Sequence, residues 1–193
     1  RVCIPLRSQS STSKISDLKD SCALERYSSQ LDLEKIILDA KPDIFIHMAC
    51  SYGRKGESNV NIVEANLLFG MSLLEISEKL GYPIKFINTD TCLEANLSSY
   101  ALSKSQFSNW GKFLASGKPN NLTFLNIRLQ QFYGPGDDIT KLPGHVIHSC
   151  FSNTGDLRLT AGNQLRDFIY VEDVLNAFSV LVKNIASFDQ FSE

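Results

Sequence analysis

Apolar and polar positions alternate in blocks along this chain, and the blocks predict strands separated by helices. Continuous apolar runs, typical of strands buried on both faces, occur at 43–49, 82–88 and 122–129. Segments with apolar residues at helical spacing lie at 31–40, about 60–80 and 99–115. Alternating strands and helices are typical of parallel βαβ units, so the sequence predicts an α/β fold with a doubly wound parallel sheet.

The predicted elements near the two ends of the chain are shorter than those in the middle. The first six residues, RVCIPL, predict a short strand. After residue 134 the predicted elements become shorter: a loop at 133–138, a helix at 145–151, strands at 156–161 and 166–171, and a helix at 172–184. The sequence therefore predicts two regions, one over 1–135 and a second over 136–193.

Composition narrows the class of protein. The chain has 193 residues, of which 43% are hydrophobic and 21% charged, which is typical of a soluble globular protein. A net charge of -2 argues against nucleic-acid and membrane-surface partners, which need a concentrated positive field. No apolar run approaches the roughly 18 residues of a membrane span. Five widely spaced cysteines favour free thiols and a cytoplasmic location, and no residue cluster predicts a metal site.

Ligands of open α/β sheets bind at the carboxyl ends of the strands, which directs attention to four segments. These are Arg7, His47–Ser51, Asn88–Thr91 and Gln130–Gly136. The alternative, purely structural interpretation is that His47 is a buried histidine of the core and that Gln130–Gly136 forms a turn without a function.

Tyr100 and Lys104 follow the second buried strand and share one face of a helix, since they are four residues apart. An ammonium group lowers the pKa of a nearby phenol, so the pair suits proton transfer to or from a carbonyl oxygen. A strand-end hydroxyl, Thr89 or Thr91, can hold the same oxygen. The alternative is a solvated helix face beside a turn.

Six segments between residues 43 and 174 form an ordered series: DIFIHMAC, EANLLFGMSLLEIS, INTDT, YALSK, RLQQFYGPGD and GNQLRDFIYVEDV. Together they resemble the extended short-chain dehydrogenase/reductase family, the NAD-dependent epimerase/dehydratase group that acts on nucleotide sugars. The resemblance implies a Rossmann-like NAD(P)-binding domain over 1–135. It implies the start of a small substrate-binding domain over 136–193, with a returning strand and helix.

The resemblance also implies roles for individual residues at the reacting carbon. Tyr100 is expected to be the acid/base, and Lys104 to bind the nicotinamide ribose and lower the pKa of the tyrosine. Thr89 matches the Thr of the Thr-Asp-x pattern and is expected to orient the substrate oxygen. Thr91 is the alternative in another strand register.

Further residues are implied for cofactor and substrate. Along the cofactor the resemblance implies Arg7, Met48, Ala49, Ser51 and Asn66. The cation Arg7 favours NADP(H) over NAD(H), because an acidic residue there would have indicated NAD. For the substrate it implies Thr91, Gln131 (where the family usually has Asn) and Arg166, a guanidinium suited to clamping a diphosphate.

The chain also departs from the family pattern. The Gly-x-x-Gly-x-x-Gly loop is absent, and we expect the chain to begin at the second strand of the fold, with the first strand missing. The expected function is reduction of a nucleotide-linked sugar, specifically a CDP-4-keto-deoxy sugar of O-antigen synthesis. The alternatives are a nucleotide-sugar 4-epimerase and a non-catalytic remnant of the fold. A homodimer through the helices near 60–80 and 100–115 is expected.

Overall fold

A computed structural model describes residues 1–117, 121–153 and 155–193. The strands are β1 (Cys3–Arg7), β2 (Ala23–Tyr27), β3 (Ile44–His47), β4 (Ile84–Thr91), β5 (Leu122–Leu129), β6 (Gln131–Tyr133), β7 (Phe168–Tyr170) and β8 (Phe191–Ser192). The α-helices are α1 (Gln30–Ala40), α2 (Asn59–Val63), α3 (Phe69–Glu78), α4 (Ser99–Gly117), α5 (Leu142–Ser152) and α6 (Val171–Lys183). Short 3-10 turns occur at Ser16–Leu18, Ala95–Leu97 and Ile185–Ser187.

Every strand pair in the described residues is parallel. The central sheet has the order β3-β4-β5-β8, while β1 pairs with β2 and β6 pairs with β7 in separate two-stranded sheets. The predicted parallel α/β fold is thus confirmed. Within the described residues, no strand bridges β1 and β3.

The core lies on both faces of the central sheet, which explains the continuous apolar runs. On one face, stacked rings of Phe86 and Phe124 meet Phe107 of α4 edge-on. On the other face, Phe178 of α6 packs with Ile87 and Leu125. A parallel strand covered on both faces has no solvent side, so its sequence loses the polar alternation of a half-exposed strand.

Two local predictions were wrong or incomplete. The segment 156–161 is irregular and mostly exposed, although its alternating apolar residues predicted a strand. The strand β2 was missed, because its sequence ALERY contains two adjacent charged residues, both exposed. Pairing with β1 makes it a strand, and that pairing is a tertiary event that local sequence does not encode.

The helix predicted over about 60–80 is continuous from Asn59 to Glu78 but contains a π segment, Glu64–Leu68, between α2 and α3. Among the described residues it is the one helix with the length and mean hydropathy, 1.3, of a membrane span. Its residues Leu73, Leu74 and Ile76 belong to the main core, as expected for the core helix of a globular fold. A π segment frequently marks a functional position in a helix.

Candidate active site

Tyr100 and Lys104 lie in the first two turns of α4, directly beyond the carboxyl end of β4. The Ser98 hydroxyl accepts a hydrogen bond from the backbone N–H of Ala101 at 3.1 Å, which caps the helix. The Lys104 side chain is 1% exposed, and its Nζ has no hydrogen-bond partner among the described residues. Lys104 therefore does not lie on a solvated helix face, since its side chain is almost completely excluded from water. A buried lysine without a partner is also rare in proteins.

The two candidate threonines have different partners. The Thr89 hydroxyl donates to the backbone carbonyl of His47 at 3.1 Å, so it ties β4 to β3. Thr91 Oγ1 accepts the backbone N–H of Leu93 at 3.2 Å. The Thr91 hydroxyl also lies close enough to Tyr100 to lower the pKa of that phenol and so favour the phenolate. Of the two hydroxyls, Thr91 is the one in contact with Tyr100.

Asn66, in the π segment, holds the loop that follows β3. Its Oδ1 accepts the backbone N–H of Ser51 at 2.6 Å, and its Nδ2 donates to the Ser51 carbonyl at 2.9 Å. The same Nδ2 donates to the Ser103 hydroxyl at 3.0 Å, one residue before Lys104. Asn66 thus locks the β3 loop to α4, while Met48 and Ala49 in that loop are exposed.

Sequence reasoning missed Tyr52, which covers the candidate acid/base. Its ring lies 4.8 Å from that of Tyr100, centroid to centroid, and the Arg54 guanidinium lies 5.2 Å above the Tyr52 ring. Cys50 is next to both tyrosines. Tyr52 and Cys50 could have been found from their position in the loop after β3, because the sequence already predicted ligand contacts there.

Burial dominates the electrostatics of the site. Burial raises the pKa of Tyr100 well above its ordinary value, and the neighbouring Tyr52 adds to the rise. Burial raises the pKa of Tyr52 to about 12. Burial lowers the pKa of Lys104, against the opposing effects of Cys50 and Asp90. The Thr91 hydroxyl acts in the opposite direction and lowers the pKa of Tyr100.

Three predicted site residues lie apart from this cluster. Arg7 ends β1, Gln131 begins β6, and Arg166 lies in the irregular segment before β7. All three side chains are exposed. No group of three or more metal-ligating side chains occurs in the part of the chain that the structure describes.

The residues present fit a bound nicotinamide dinucleotide, and one observation of the structure supports this. The buried Lys104 ammonium needs an acceptor that the described protein atoms do not supply. A ribose hydroxyl is an acceptor of the required kind. The exposed backbone of Met48 and Ala49 lies at the same strand end and is open to a ligand.

Known proteins resemble this chain in sequence and in structure. It is 31% identical over 170 residues to CDP-abequose synthase of Salmonella typhimurium, covering 85% of this chain and 56% of that protein. The chain thus spans about half the length of the curated relatives it matches.

Solved structures give the same fold. dTDP-glucose 4,6-dehydratase of Bacillus anthracis in complex with NAD superposes with a TM-score of 0.76 at 15% identity, covering 94% of this chain and 62% of that one. UDP-glucose 4-epimerase of Thermus thermophilus in complex with NAD superposes with a TM-score of 0.64 at 22% identity, covering 82% of this chain and 60% of that one. Residues 3–192 match the NAD dependent epimerase/dehydratase family. The order of the six motifs, the parallel sheet and this match together make the chain a member of that family, within the extended short-chain dehydrogenases/reductases.

Proposed function

We propose that the protein is an NAD(P)-dependent oxidoreductase that reduces a nucleotide-linked sugar, with a CDP-4-keto-deoxy sugar of O-antigen synthesis as substrate. The observation that carries the proposal is the buried Lys104 ammonium, which has no partner among the described residues and lies one helical turn from Tyr100. The likeness to CDP-abequose synthase supports the choice of nucleotide and sugar. Because the chain spans about half of that protein, substrate and reaction belong to the whole protein.

Tyr100 is the proton donor of the proposed reaction. Burial keeps its hydroxyl protonated at neutral pH, which is the state that reduction of a carbonyl requires. The proton passes to the carbonyl oxygen of the sugar, and a phenolate is left on Tyr100. A bound reduced nicotinamide dinucleotide supplies the hydride to the carbonyl carbon.

Lys104 and a threonine support that transfer. The Lys104 ammonium stabilises the phenolate and binds a ribose hydroxyl of the cofactor. Thr91 holds the substrate oxygen next to Tyr100, and Thr89 is the alternative for that role. Thr91 is the better candidate for that role, because the Thr89 hydroxyl already donates its hydrogen bond to the His47 carbonyl.

Cofactor and substrate are held by residues around this centre. We assign the cofactor to the Met48–Ser51 loop braced by Asn66, and the 2′-phosphate of NADP(H) to Arg7. The exposed guanidinium of Arg7 at the end of β1 supports NADP(H) over NAD(H). Gln131 and Arg166 bind the nucleotide sugar, since among the described residues no carboxylate pairs with Arg166.

The decisive experiment uses the full-length product of the gene with a CDP-4-keto-3,6-dideoxy sugar and NADPH. We expect stoichiometric loss of the nicotinamide absorbance band. The Tyr100→Phe variant should lower the rate by about 10²- to 10⁴-fold, because it removes the proton donor. Tyr82→Phe is the matched control, since Tyr82 lies at the amino end of β4 and donates only to the Pro42 carbonyl at 3.4 Å.

Other outcomes identify the two alternatives. Interconversion of a nucleotide sugar and its 4-epimer without net NADPH loss would identify an epimerase with retained NAD. No reaction with any nucleotide sugar, in folded protein, would identify a non-catalytic dinucleotide-binding remnant. Tighter binding of NADH than of NADPH would contradict the role of Arg7.

We also propose that the protein acts in the cytoplasm as a homodimer through the α2–α3 and α4 helices. Large apolar side chains on these helices are exposed: Val60, Leu68, Leu102, Trp110 and Phe113. The rings of Trp110 and Phe113 lie 6.0 Å apart, centroid to centroid. Exposed apolar side chains that lie together are typical of protein interfaces. Sedimentation should give a dimer that Phe113→Glu converts to monomer, and a monomeric parent protein would contradict the proposal.

A further inference from the structure

A row of buried polar side chains crosses the three central strands at one level. His47, Asn88 and Asn126 are direct register partners on β3, β4 and β5. His47 Nδ1 and Asn88 Oδ1 are 3.1 Å apart, and Asn88 Nδ2 donates to Asn126 Oδ1 at 2.8 Å. Each of the three side chains is at most 2% exposed. The row therefore forms a hydrogen-bonded ladder inside the core.

The ladder ends on a carboxylate beside the candidate active site. Asn126 Nδ2 donates to Asp90 Oδ2 at 2.9 Å. The other oxygen, Asp90 Oδ1, accepts the backbone N–H of Thr91 at 2.7 Å. The Thr91 hydroxyl in turn lies close enough to Tyr100 to lower the pKa of its phenol. Hydrogen bonds thus connect His47 to the backbone of Thr91, whose side chain lies beside Tyr100.

Strand pairing does not need this ladder. The backbone register of β4 with β5 continues for three residues beyond Asn126, to the pair Thr91 and Leu129. The apolar core is already formed by Phe124 and Leu125, which precede Asn126 on β5. Two apolar side chains at positions 88 and 126 would pack there without needing partners. The amides therefore serve the groups that they bond.

The bonds of Asp90 are specific to one orientation of its side chain. Each of its oxygens has one donor, and the two donors come from different strands. The Asp90 charge also acts on Lys104 and on Tyr100. A change in the direction of this carboxylate would therefore move both the end of β4 and the local field.

We propose that Asn126 is a positioning residue for the reaction. Its amide fixes the Asp90 carboxylate, which fixes the backbone at Thr91 and so holds the Thr91 hydroxyl against Tyr100. This inference rests on the proposed function, in which Tyr100 donates the proton. It makes Asn126, on a strand with no catalytic side chain, a determinant of kcat rather than of substrate affinity.

A double-mutant cycle between Asn126→Ala and Thr91→Val in the full-length protein tests the proposal. We expect each single variant to lower kcat by about 10- to 100-fold, since displacement of a reacting group by about 1 Å has such effects. KM for the nucleotide sugar should change less than about twofold, because the Asn126 side chain is 1% exposed and therefore out of reach of a bound ligand. In the Thr91→Val background, Asn126→Ala should have almost no further effect, since both changes break the same path.

A matched control separates this effect from loss of stability. Thr123→Val changes another buried polar residue of β5, whose hydroxyl accepts from Lys85 Nζ at 2.8 Å and which lies outside the ladder. Thr123→Val should leave kcat unchanged, even where it shifts the midpoint of urea denaturation as much as Asn126→Ala does. If Asn126→Ala does not fold, Asn126→Ser replaces it in the cycle, with the same expected coupling.

Two results would overturn the inference. Effects of Asn126→Ala and Thr91→Val that multiply in the double variant would mean that the two residues act independently. An unchanged kcat in a folded Asn126 variant would mean that the ladder is structural only. Failure of the proposed function looks different, because the parent protein itself would then cause no loss of the nicotinamide absorbance band.

Discussion

The central sheet and the two small sheets hold different kinds of candidate site residue. Tyr100, Lys104 and Asn66 lie beside the central sheet, and the last two are almost fully buried. Arg7 and Gln131 lie on the small sheets and are exposed, as is Arg166 next to β7. The central region therefore fixes its side chains by internal packing and hydrogen bonds. The side chains of Arg7, Gln131 and Arg166 lack such packing, since all three are exposed.

This difference also appears in the aromatic residues. Phe86, Phe107 and Phe124 are completely buried in the central core. Phe151, at the end of α5, is 89% exposed. A difference in burial of this size must appear as a difference in free energy of unfolding, since the stabilisation scales with the apolar area removed from water.

The largest effect is expected from a phenylalanine of the central sheet. Phe124→Ala should lower the free energy of unfolding by about 3–5 kcal/mol, because it leaves a cavity between α4 and the sheet. Phe151→Ala should change it by less than about 0.5 kcal/mol, as for surface substitutions in general. Urea denaturation of both variants measures the contrast. Equal effects would mean that α5 is packed against further protein in solution.

A pH-dependent effect should arise from His47 in the central sheet. Burial lowers the pKa of His47 to about 4, and the Lys104 charge contributes. As the pH falls from 6.5 towards 4, the unfolded chain takes up a proton at this residue and the native protein does not. Stability should therefore fall by about 3 kcal/mol over that window through this group.

The variant His47→Gln measures that contribution. The pH dependence of its unfolding free energy, followed by urea denaturation between pH 7 and 4, should be flatter than that of the parent protein. His148→Gln, a change at an exposed histidine of α5, is the control and should leave the slope unchanged. An unchanged slope in His47→Gln would show that the imidazole is solvated in the native state.

A smaller effect than that of Phe124 or His47 is expected at α1, which packs against β1, β2 and α3. The Ser29 hydroxyl accepts the backbone N–H of Asp32 at 3.1 Å and forms a capping box with that residue. Ser29→Ala should cost about 1 kcal/mol in local stability. Amide hydrogen exchange should accelerate in α1, β1 and β2 but not in β4 and β5, with Gln30→Ala as control. Uniform acceleration across both sheets would mean that they unfold as one unit.

The fold was predictable where one face or both faces of an element were apolar. β4, β5 and α4 follow directly from the pattern of their residues, because burial on both faces removes polar positions from a strand. β2 was not predictable from its own residues, since it is a strand only through its pairing with β1. The segment 156–161 has the alternation of a strand but no neighbour to pair with in the described structure.

The sequence by itself determined that Tyr100 and Lys104 share a helix face and that this helix begins at a strand end. Helical spacing and strand order are local properties, so the residues alone carry them. Only the tertiary structure decided that Lys104 is buried without a partner among the described residues, and that the ring of Tyr52 packs on that of Tyr100. It also decided that Thr91 rather than Thr89 lies beside Tyr100. It also formed the ladder from His47 to Asp90, because register across three strands joins residues up to about eighty positions apart in the chain.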